Sequence, residues 1–349
     1  MTHLWLRAET KPNEARTPLM PEGTARLVRA GVEVTVEDSP ERILPVTDFA
    51  AAGARIVPQG TWRDAPAEAI VLGLKELPDD DTPLSHRHIF FGHAYKGQPD
   101  GLRLLKRFRA GGGTLLDLEY LTDETGRRLA AFGYWAGFAG AGVALKCWAA
   151  QRRGGIAGPV TAVASSAHLI ADLQAELVAL GAERPTALII GAKGRVGTGA
   201  ADLCREMGVA TTLWDIDETA SGGPFPEVLT HDLFLNCILA RPGTPVFVPA
   251  AARVAPRRLS VISDIACDPT SDFSPIKVYD RTTDWNAPAL RVHESPPLDV
   301  TAIDNLPSLL PLESSQDFAG QLLPTLLDLP DSAVWDRAGA IFDQAIARL

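Results

Sequence analysis

Residues 185–217 read PTALIIGAKGRVGTGAADLCREMGVATTLWDID. The run Ala187-Leu188-Ile189-Ile190 is short and apolar, the pattern of a strand buried in a parallel sheet. Gly191, Gly194 and Gly197 follow at a spacing of three, with Gly199 just beyond. A helical pattern then runs to Gly208, and a second strand, Thr211 to Trp214, ends at Asp215. Strand, glycine turn, helix, strand and acid within roughly 30 residues is the plan of a dinucleotide-binding βαβ unit. Gly191 serves the tight turn off the strand, Gly194 lets a pyrophosphate approach the backbone, and Gly197 lets the helix pack close to the strands. The helix N-terminus offers free N–H groups and a partial positive charge to the phosphates. A carboxylate at Asp215 accepts hydrogen bonds from ribose hydroxyls and repels a 2′-phosphate, and no arginine follows it closely, so the pattern favours NAD over NADP. The spacing is GxxGxxG rather than GxGxxG, and the competing reading is a glycine-rich turn in a cofactor-free α/β domain. Lys193, inside the turn, is read as solvated, and Val196 and Thr198 as fillers.

The chain has 349 residues, long enough for two domains. Hydrophobic content of 46% and charged content of 22% are ordinary for a globular protein. The net charge of −10 and the lack of a basic run argue against a nucleic-acid surface. Cysteines 147, 204, 237 and 267 are too far apart for zinc-ligand pairs, so no metal is expected, and they read as reduced thiols of a cytoplasmic protein. The N-terminus MTHLWLRAETK has no apolar leader. The terminal Ala347-Arg348-Leu349 matches a loosened peroxisomal tripeptide, which matters only in a eukaryote.

Strands alternate with helical patterns along the first third: strands at 3–7, 32–36, 55–57, 70–74, 89–91 and 115–119, with helices at 21–30, 48–52 and 100–110. This alternation predicts a parallel, doubly wound sheet. The run FGYWAGFAGAGVALKCWAAQ, from Phe132, reads as a long, closely packed helix linking two domains; Lys146 and the glycines argue against a membrane span. A further helix is predicted at 166–180, and strands at 233–238 and 260–265. Residues 268–300, rich in Pro, Asp and Thr, read as a loop region. Two last helices, near 313–328 and 334–348, are expected to return to the first domain. The expected fold is therefore α/β, two Rossmann-like doubly wound parallel-sheet domains with a cleft between them. Residues 1–133 plus 320–349 form the substrate side, and 134–319 the NAD-binding domain.

Ligands of open parallel sheets bind at the carboxyl ends of the strands. The polar residues expected there in the first domain are Arg7, Lys11 and Arg16, then Lys75 and Glu76, then His93, Tyr95 and Lys96, then Asp117 and Glu119. Arg127 and Arg128 precede the linking helix. Taken singly, a Lys-Glu pair is usually a solvated ion pair, and a lone histidine is usually structural. Repeated at successive strand ends in an acidic chain, the cations predict a pocket for a small molecule with several carboxylates.

Nine stretches together resemble one family: LRAETKPNEAR (6–16), VEDSP (36–40), GLKELP (73–78), HAYKGQ (93–98), GTLLDLEYL (113–121), GRRLAAFGYWAGFAGA (126–141), LIIGAKGRVGTGA (188–200), WDI with GGPF (214–225) and IDNLPSLLP (303–311). The chain resembles the NAD-dependent, lysine-forming saccharopine dehydrogenases, relatives of alanine dehydrogenase. The resemblance implies oxidative deamination of saccharopine to lysine and 2-oxoglutarate, with NAD as cofactor. It implies that Lys75 takes the proton from the secondary amine and that His93 handles the water that attacks the imine. Glu76 and Glu119 match acids tuning this site. Arg16, Lys96 and Arg128 match cations near the substrate carboxylates, with Lys11 and Phe132 close by. Asp304 joins Gly191, Gly194, Arg195, Val196, Gly197 and Asp215 on the cofactor side. The resemblance also implies a monomer. Saccharopine has three carboxylates, which suits a cationic pocket, and imine hydrolysis needs the repeated proton transfers for which histidine is suited. The rival readings are an enzyme acting on another opine-like amine or on an amino acid, as alanine dehydrogenase does, and a non-catalytic NAD-binding sensor.

Overall fold

The computed structural model describes residues 1–330 and 332–349, and the chain divides into two compact units, Met1–Ala131 with Pro311–Leu349, and Phe132–Leu310. The first unit opens with β1 (His3–Leu6), α1 (Pro21–Arg29), β2 (Glu33–Glu37), α2 (Val46–Ala51) and β3 (Arg55–Val57). It continues with β4 (Ile70–Leu72), β5 (Arg87–Phe90), α3 (Pro99–Gly111) and β6 (Thr114–Asp117). These strands are short, apolar and buried, as expected of a sheet covered on both faces. Their order is β3-β2-β1-β4-β5-β6, all parallel, so the order reverses between β1 and β4. The register pairs Leu6 with Leu72, Leu72 with Ile89, and Phe90 with Asp117. The residues that leave these strands, Arg7, Gly73, Phe91 and Leu118, therefore emerge along one rim. The core beneath is aromatic, including Trp5, Trp62, Phe90 and Phe108. His88 is fully buried there, edge-on to Trp62 and Phe108, and burial pushes its pKa well below the usual value, so it is held neutral.

The second unit begins with α4 (Gly133–Arg152), then α5 (Ser166–Ala179), β7 (Thr186–Ile190), α6 (Arg195–Glu206), β8 (Ala210–Trp214) and the short α7 (Ile216–Thr219). β9 (Leu233–Asn236), β10 (Val261–Asp264), β11 (Leu290–Glu294) and β12 (Pro297–Thr301) complete it. The sheet order is β11-β12-β10-β9-β7-β8, parallel throughout except for the antiparallel edge pair β11–β12. Alternate strand residues feed two cores. Ala187, Ile189, Leu233 and Leu235 face the helical layer of α4, α5 and α6, and Leu188, Ile190 and Phe234 face the opposite layer. The chain then returns to the first unit as α8 (Pro311–Leu327), against α1, and α9 (Ala333–Ile346), against β6. α8 runs unbroken across residue 320, so the crossing lies at the start of that helix.

The fold is thus α/β with two Rossmann-like sheets. One expectation is corrected: within 268–300, where the sequence reads as loop, lie β11 and the start of β12. Pro296 and Pro297 obscure the pair in the sequence, yet both are tolerated. Pro297 is the first residue of β12, and Pro296 lies in the connection. The apolar stretch from Phe132 forms α4, a helix of 20 residues apolar on all sides and buried along most of its length. No helix among the described residues is long and apolar enough to cross a membrane.

The glycines of α4 are explained by what it packs on. A Cβ at Gly137 would stand 1.8 Å from the Val196 carbonyl oxygen, and one at Gly199, on α6, 1.9 Å from the Tyr134 carbonyl oxygen. Backbone meets backbone, so neither side can yield. Gly137→Ala should therefore destabilise the protein by about 3 kcal/mol, read from the urea midpoint. Gly320→Ala, in the exposed interior of α8 with nothing within 4 Å of its Cβ, should instead stabilise by about 0.5–1 kcal/mol.

Candidate active site

In the second unit the glycine turn follows β7. Gly191 has φ +88°, and a Cβ there would lie 2.7 Å from the Ile238 side chain. A Cβ on Gly197 would lie 2.1 Å from the Gly191 carbonyl oxygen, so this glycine lets α6 start against the turn. Gly194 caps α6, and a Cβ there would meet nothing closer than 3.4 Å. That position is open, as a pyrophosphate approaching the helix N-terminus requires. Arg195 and Val196 form the first turn of α6.

Asp215 ends β8 beside a cavity of about 540 Å³ lined by Ile190, Ile216, Ile238 and Phe247. Its Oδ2 accepts the Lys193 N–H at 2.8 Å, and its Oδ1 accepts the Ile216 N–H at 2.9 Å. The carboxylate therefore also caps α7 and pins the glycine turn, a role its position in the sequence does not reveal. Each oxygen retains a lone pair for a hydroxyl donor. An open glycine turn, a helix N-terminus and an acid beside an apolar slot fit an adenine dinucleotide. The Lys193 ammonium, read as solvated, is ion-paired to Asp217 at 3.2 Å, with both side chains largely exposed. Asp304 is exposed in the turn after β12, beyond the carboxyl edge of the same sheet.

In the first unit the predicted residues do gather along one rim. Lys75 and Glu76 follow β4, His93 and Lys96 follow β5, and Glu119 stands in a 3-10 turn after β6. His93 Nδ1 lies 3.4 Å from Glu119 Oε2, and its Nε2 lies 3.8 Å from Glu76 Oε1. His93 has φ +48°, a left-handed conformation rare outside glycine, and its ring stacks on Phe91. Lys96 donates to Glu119 at 2.9 Å, and Lys11 lies 3.8 Å from Glu76. Lys11, Glu76 and His93 line a cavity of about 420 Å³ that extends to Arg103 and Arg107.

Charge sets the protonation states. The Glu119 hydrogen bond, aided by Glu76, raises the His93 pKa above its ordinary value despite partial burial. The reciprocal bond from His93, with Lys96, holds Glu119 down at about 2. Hydrogen bonding to Glu119 raises Lys96.

The cationic pocket expected from the sequence is corrected in one respect: its cations come with acids. Arg7 is buried against Glu9, and Arg16 is buried and held by both oxygens of Glu14, at 2.7 and 2.5 Å. Lys11 and Lys96 are paired as above. Arg128 is exposed, and Phe132 is half-buried at the start of α4 in the other unit. Sequence reasoning passed over Glu9 and Glu14, although both lie in LRAETKPNEAR, because an acid in a loop has no periodic signature. Burial pushes Glu14 up, but the charge and hydrogen bonds of Arg16 hold it below the ordinary carboxylate value. Also missed were Asp264 and Asn236 at the ends of β10 and β9, where Asn236 and Tyr279 donate to the buried Asp264 at 2.9 and 2.5 Å.

Residues 5–139 match the family described as alanine dehydrogenase/PNT, N-terminal domain. The saccharopine dehydrogenase [NAD(+), L-lysine-forming] of Neurospora crassa is 46% identical over an alignment covering 100% of this chain and 97% of that protein. The chain belongs to this family of saccharopine dehydrogenases. Its member from Yarrowia lipolytica is 45% identical, over 99% of this chain and 98% of that protein. Among solved structures, an L-alanine dehydrogenase superposes with a TM-score of 0.70 at 20% identity, covering 99% of this chain and 94% of that one, which supports the shared fold.

One acid at the rim of this saccharopine dehydrogenase chain stands apart. Asp117 ends β6 and is 1% exposed; its Oδ1 accepts the Glu119 N–H at 2.9 Å, and burial raises its pKa to about 6. That value exceeds the ~3.9 of an unfolded aspartate, so the native state holds this proton more tightly. The stabilisation is complete below about pH 4 and is lost as pH rises through about 6. Asp117→Asn removes the titration. Urea unfolding at pH 4 and pH 7.5 should show the variant gaining about 1–3 kcal/mol relative to the parent on going to the higher pH.

Proposed function

We propose that this chain catalyses the NAD-dependent oxidative deamination of saccharopine: saccharopine, NAD and water give L-lysine, 2-oxoglutarate, NADH and a proton. The observation that carries the reading is 46% identity over the full length to a protein so named, with Lys75 and His93 both present at the sheet rim. NAD, when bound, accepts the hydride. Gly191, Gly194, Arg195, Val196 and Gly197 would cradle its phosphates, Asp215 would receive its ribose hydroxyls, and Asp304 would complete the cofactor side.

The remaining work falls to the first unit. Lys75 removes the proton from the secondary amine. His93, paired with Glu119 and Glu76, activates the water that adds to the imine carbon and returns protons as the carbon–nitrogen bond breaks. The Glu119 hydrogen bond raises its pKa, which favours the protonated form that returns those protons. Arg16, Lys96 and Arg128 meet the carboxylates, with Lys11 beside them. Because Arg16 and Lys96 already hold acids, they offer oriented donors rather than loose positive charge. We read the enzyme as a cytoplasmic monomer.

NADH formation should appear with saccharopine and not with a panel of other opines and amino acids. Lys75→Met and His93→Gln should each lower kcat by about 100-fold or more. Turnover of another amine in place of saccharopine would move the substrate assignment to that amine, and full activity in both variants would remove these two residues from the mechanism.

Cofactor choice has its own test. Asp215→Ser takes away the charge that repels a 2′-phosphate, so the preference for NAD over NADP, measured as the ratio of kcat/KM values, should fall roughly tenfold or more.

A further inference from the structure

Arg7 and Glu9 lie in the loop after β1 and are both buried, at 2% and 7% exposure. Glu9 Oε1 accepts the Leu74 N–H at 2.7 Å, and its Oε2 accepts the Lys75 N–H at 3.0 Å. Arg7 Nη1 lies 3.3 Å from the same Glu9 Oε2, and Arg7 Nη2 donates to the Lys75 carbonyl oxygen. The two peptide groups of Lys75 are thus held from both sides by one ion pair. We propose that Arg7 and Glu9 are positioning residues for Lys75, a clamp that fixes where its side chain leaves the sheet.

Three further observations support a positioning role. Gly73 precedes the clamped segment, and a Cβ there would stand 2.4 Å from Arg7 Nε, so the guanidinium occupies the space that this glycine leaves. The clamp is itself anchored: Glu37 accepts N–H groups from Ala8, Gly60 and Trp62 at 2.9, 2.9 and 2.6 Å, and Arg42 donates to the Glu37 and Arg7 carbonyl oxygens. Arg7 Nε is buried without a hydrogen-bond partner among the described residues. A buried charge pair with an unsatisfied donor is a poor device for stability, since apolar residues of like volume do as well or better. Its gain here is geometric: a β4 terminus loose by about 1 Å would displace the amine that meets the substrate and could cost 100-fold in rate.

This inference rests on Lys75 as the amine base, and the test separates the two claims. Glu9→Gln breaks the ion pair and keeps one acceptor oxygen, so one of the Leu74 and Lys75 N–H groups stays paired while the other meets an amide NH2. Gly73→Ala displaces the Arg7 guanidinium while keeping both charges, and it serves should Glu9→Gln fold poorly. For each variant, kcat and the KM for NAD are measured with saccharopine, and the acylation rate of Lys75 relative to Lys96 is followed by mass spectrometry in the free protein. The clamp predicts a kcat loss of roughly tenfold or more with the KM for NAD unchanged. It also predicts a rise of roughly threefold or more in relative Lys75 acylation, as a released segment opens locally. Variants that lose thermal stability yet keep the kcat and Lys75 acylation of the parent overturn the proposal, and so does a kcat loss without change at Lys75. Should the parent not turn over saccharopine, the reaction assignment fails while acylation still decides the clamp.

Discussion

Glu9 is the point on which the first unit's rim depends. A parallel sheet ends with backbone N–H groups that no neighbouring strand pairs, and buried donors must find acceptors. At the end of β4 those donors belong to Leu74 and Lys75, and the acceptor is one carboxylate from the next strand over. A carboxylate there needs a counter-charge, which Arg7 supplies, and a guanidinium there needs room, which Gly73 supplies. One strand further, the Glu37 carboxylate accepts the Ala8, Gly60 and Trp62 N–H groups, and Arg42 donates to the Glu37 backbone carbonyl oxygen. The acid–base residues of this unit are displayed by a buried layer of charge.

The second unit answers the same geometric problem with backbone packing rather than buried ion pairs. Its glycine turn leaves β7 and runs into α6, whose backbone touches the turn at Gly197 and α4 at Gly199. α4 is apolar around its circumference because α5, α6 and the sheet surround it. Close backbone approach fixes the helix N-terminus relative to Asp215, and the Asp215 carboxylate ties the turn down through the Lys193 N–H. A cofactor site is thereby held by packing and one hydrogen-bonded acid, while the rim of the first unit is held by ion pairs. The difference suits the tasks: a dinucleotide needs a shaped cradle with a helix N-terminus for its phosphates, whereas proton transfer needs titratable groups whose neighbours set their charge.

The rim also illustrates how one histidine is tuned. His93 faces Glu119 on one side and Glu76 on the other, with Asp117 buried behind, and three acids around a half-exposed ring favour its protonated form. Lys96 donates to the other oxygen of Glu119, so His93 and Lys96 share one carboxylate and together keep it ionised.

What the sequence determined by itself was the alternation of strand and helix, the glycine turn with Asp215 at its far end, and the presence of Lys75, Glu76, His93 and Glu119 at successive strand ends. These are local signals: periodicity of two against 3.6, glycine where a Cβ cannot fit, and polar residues where an apolar run stops. The edge pair β11–β12 escaped because consecutive prolines masked the alternation around them. Only the tertiary structure decided which charges are free to act. Arg7 reads as a cation for substrate, but the register of β1 on β4 lays it against Lys75, a partner 68 residues away, and buries it. Arg16, Lys96 and Asp117 follow the same logic, since pairing, burial and protonation depend on which neighbours the sheet brings within a few ångströms, and sequence spacing carries no record of that distance.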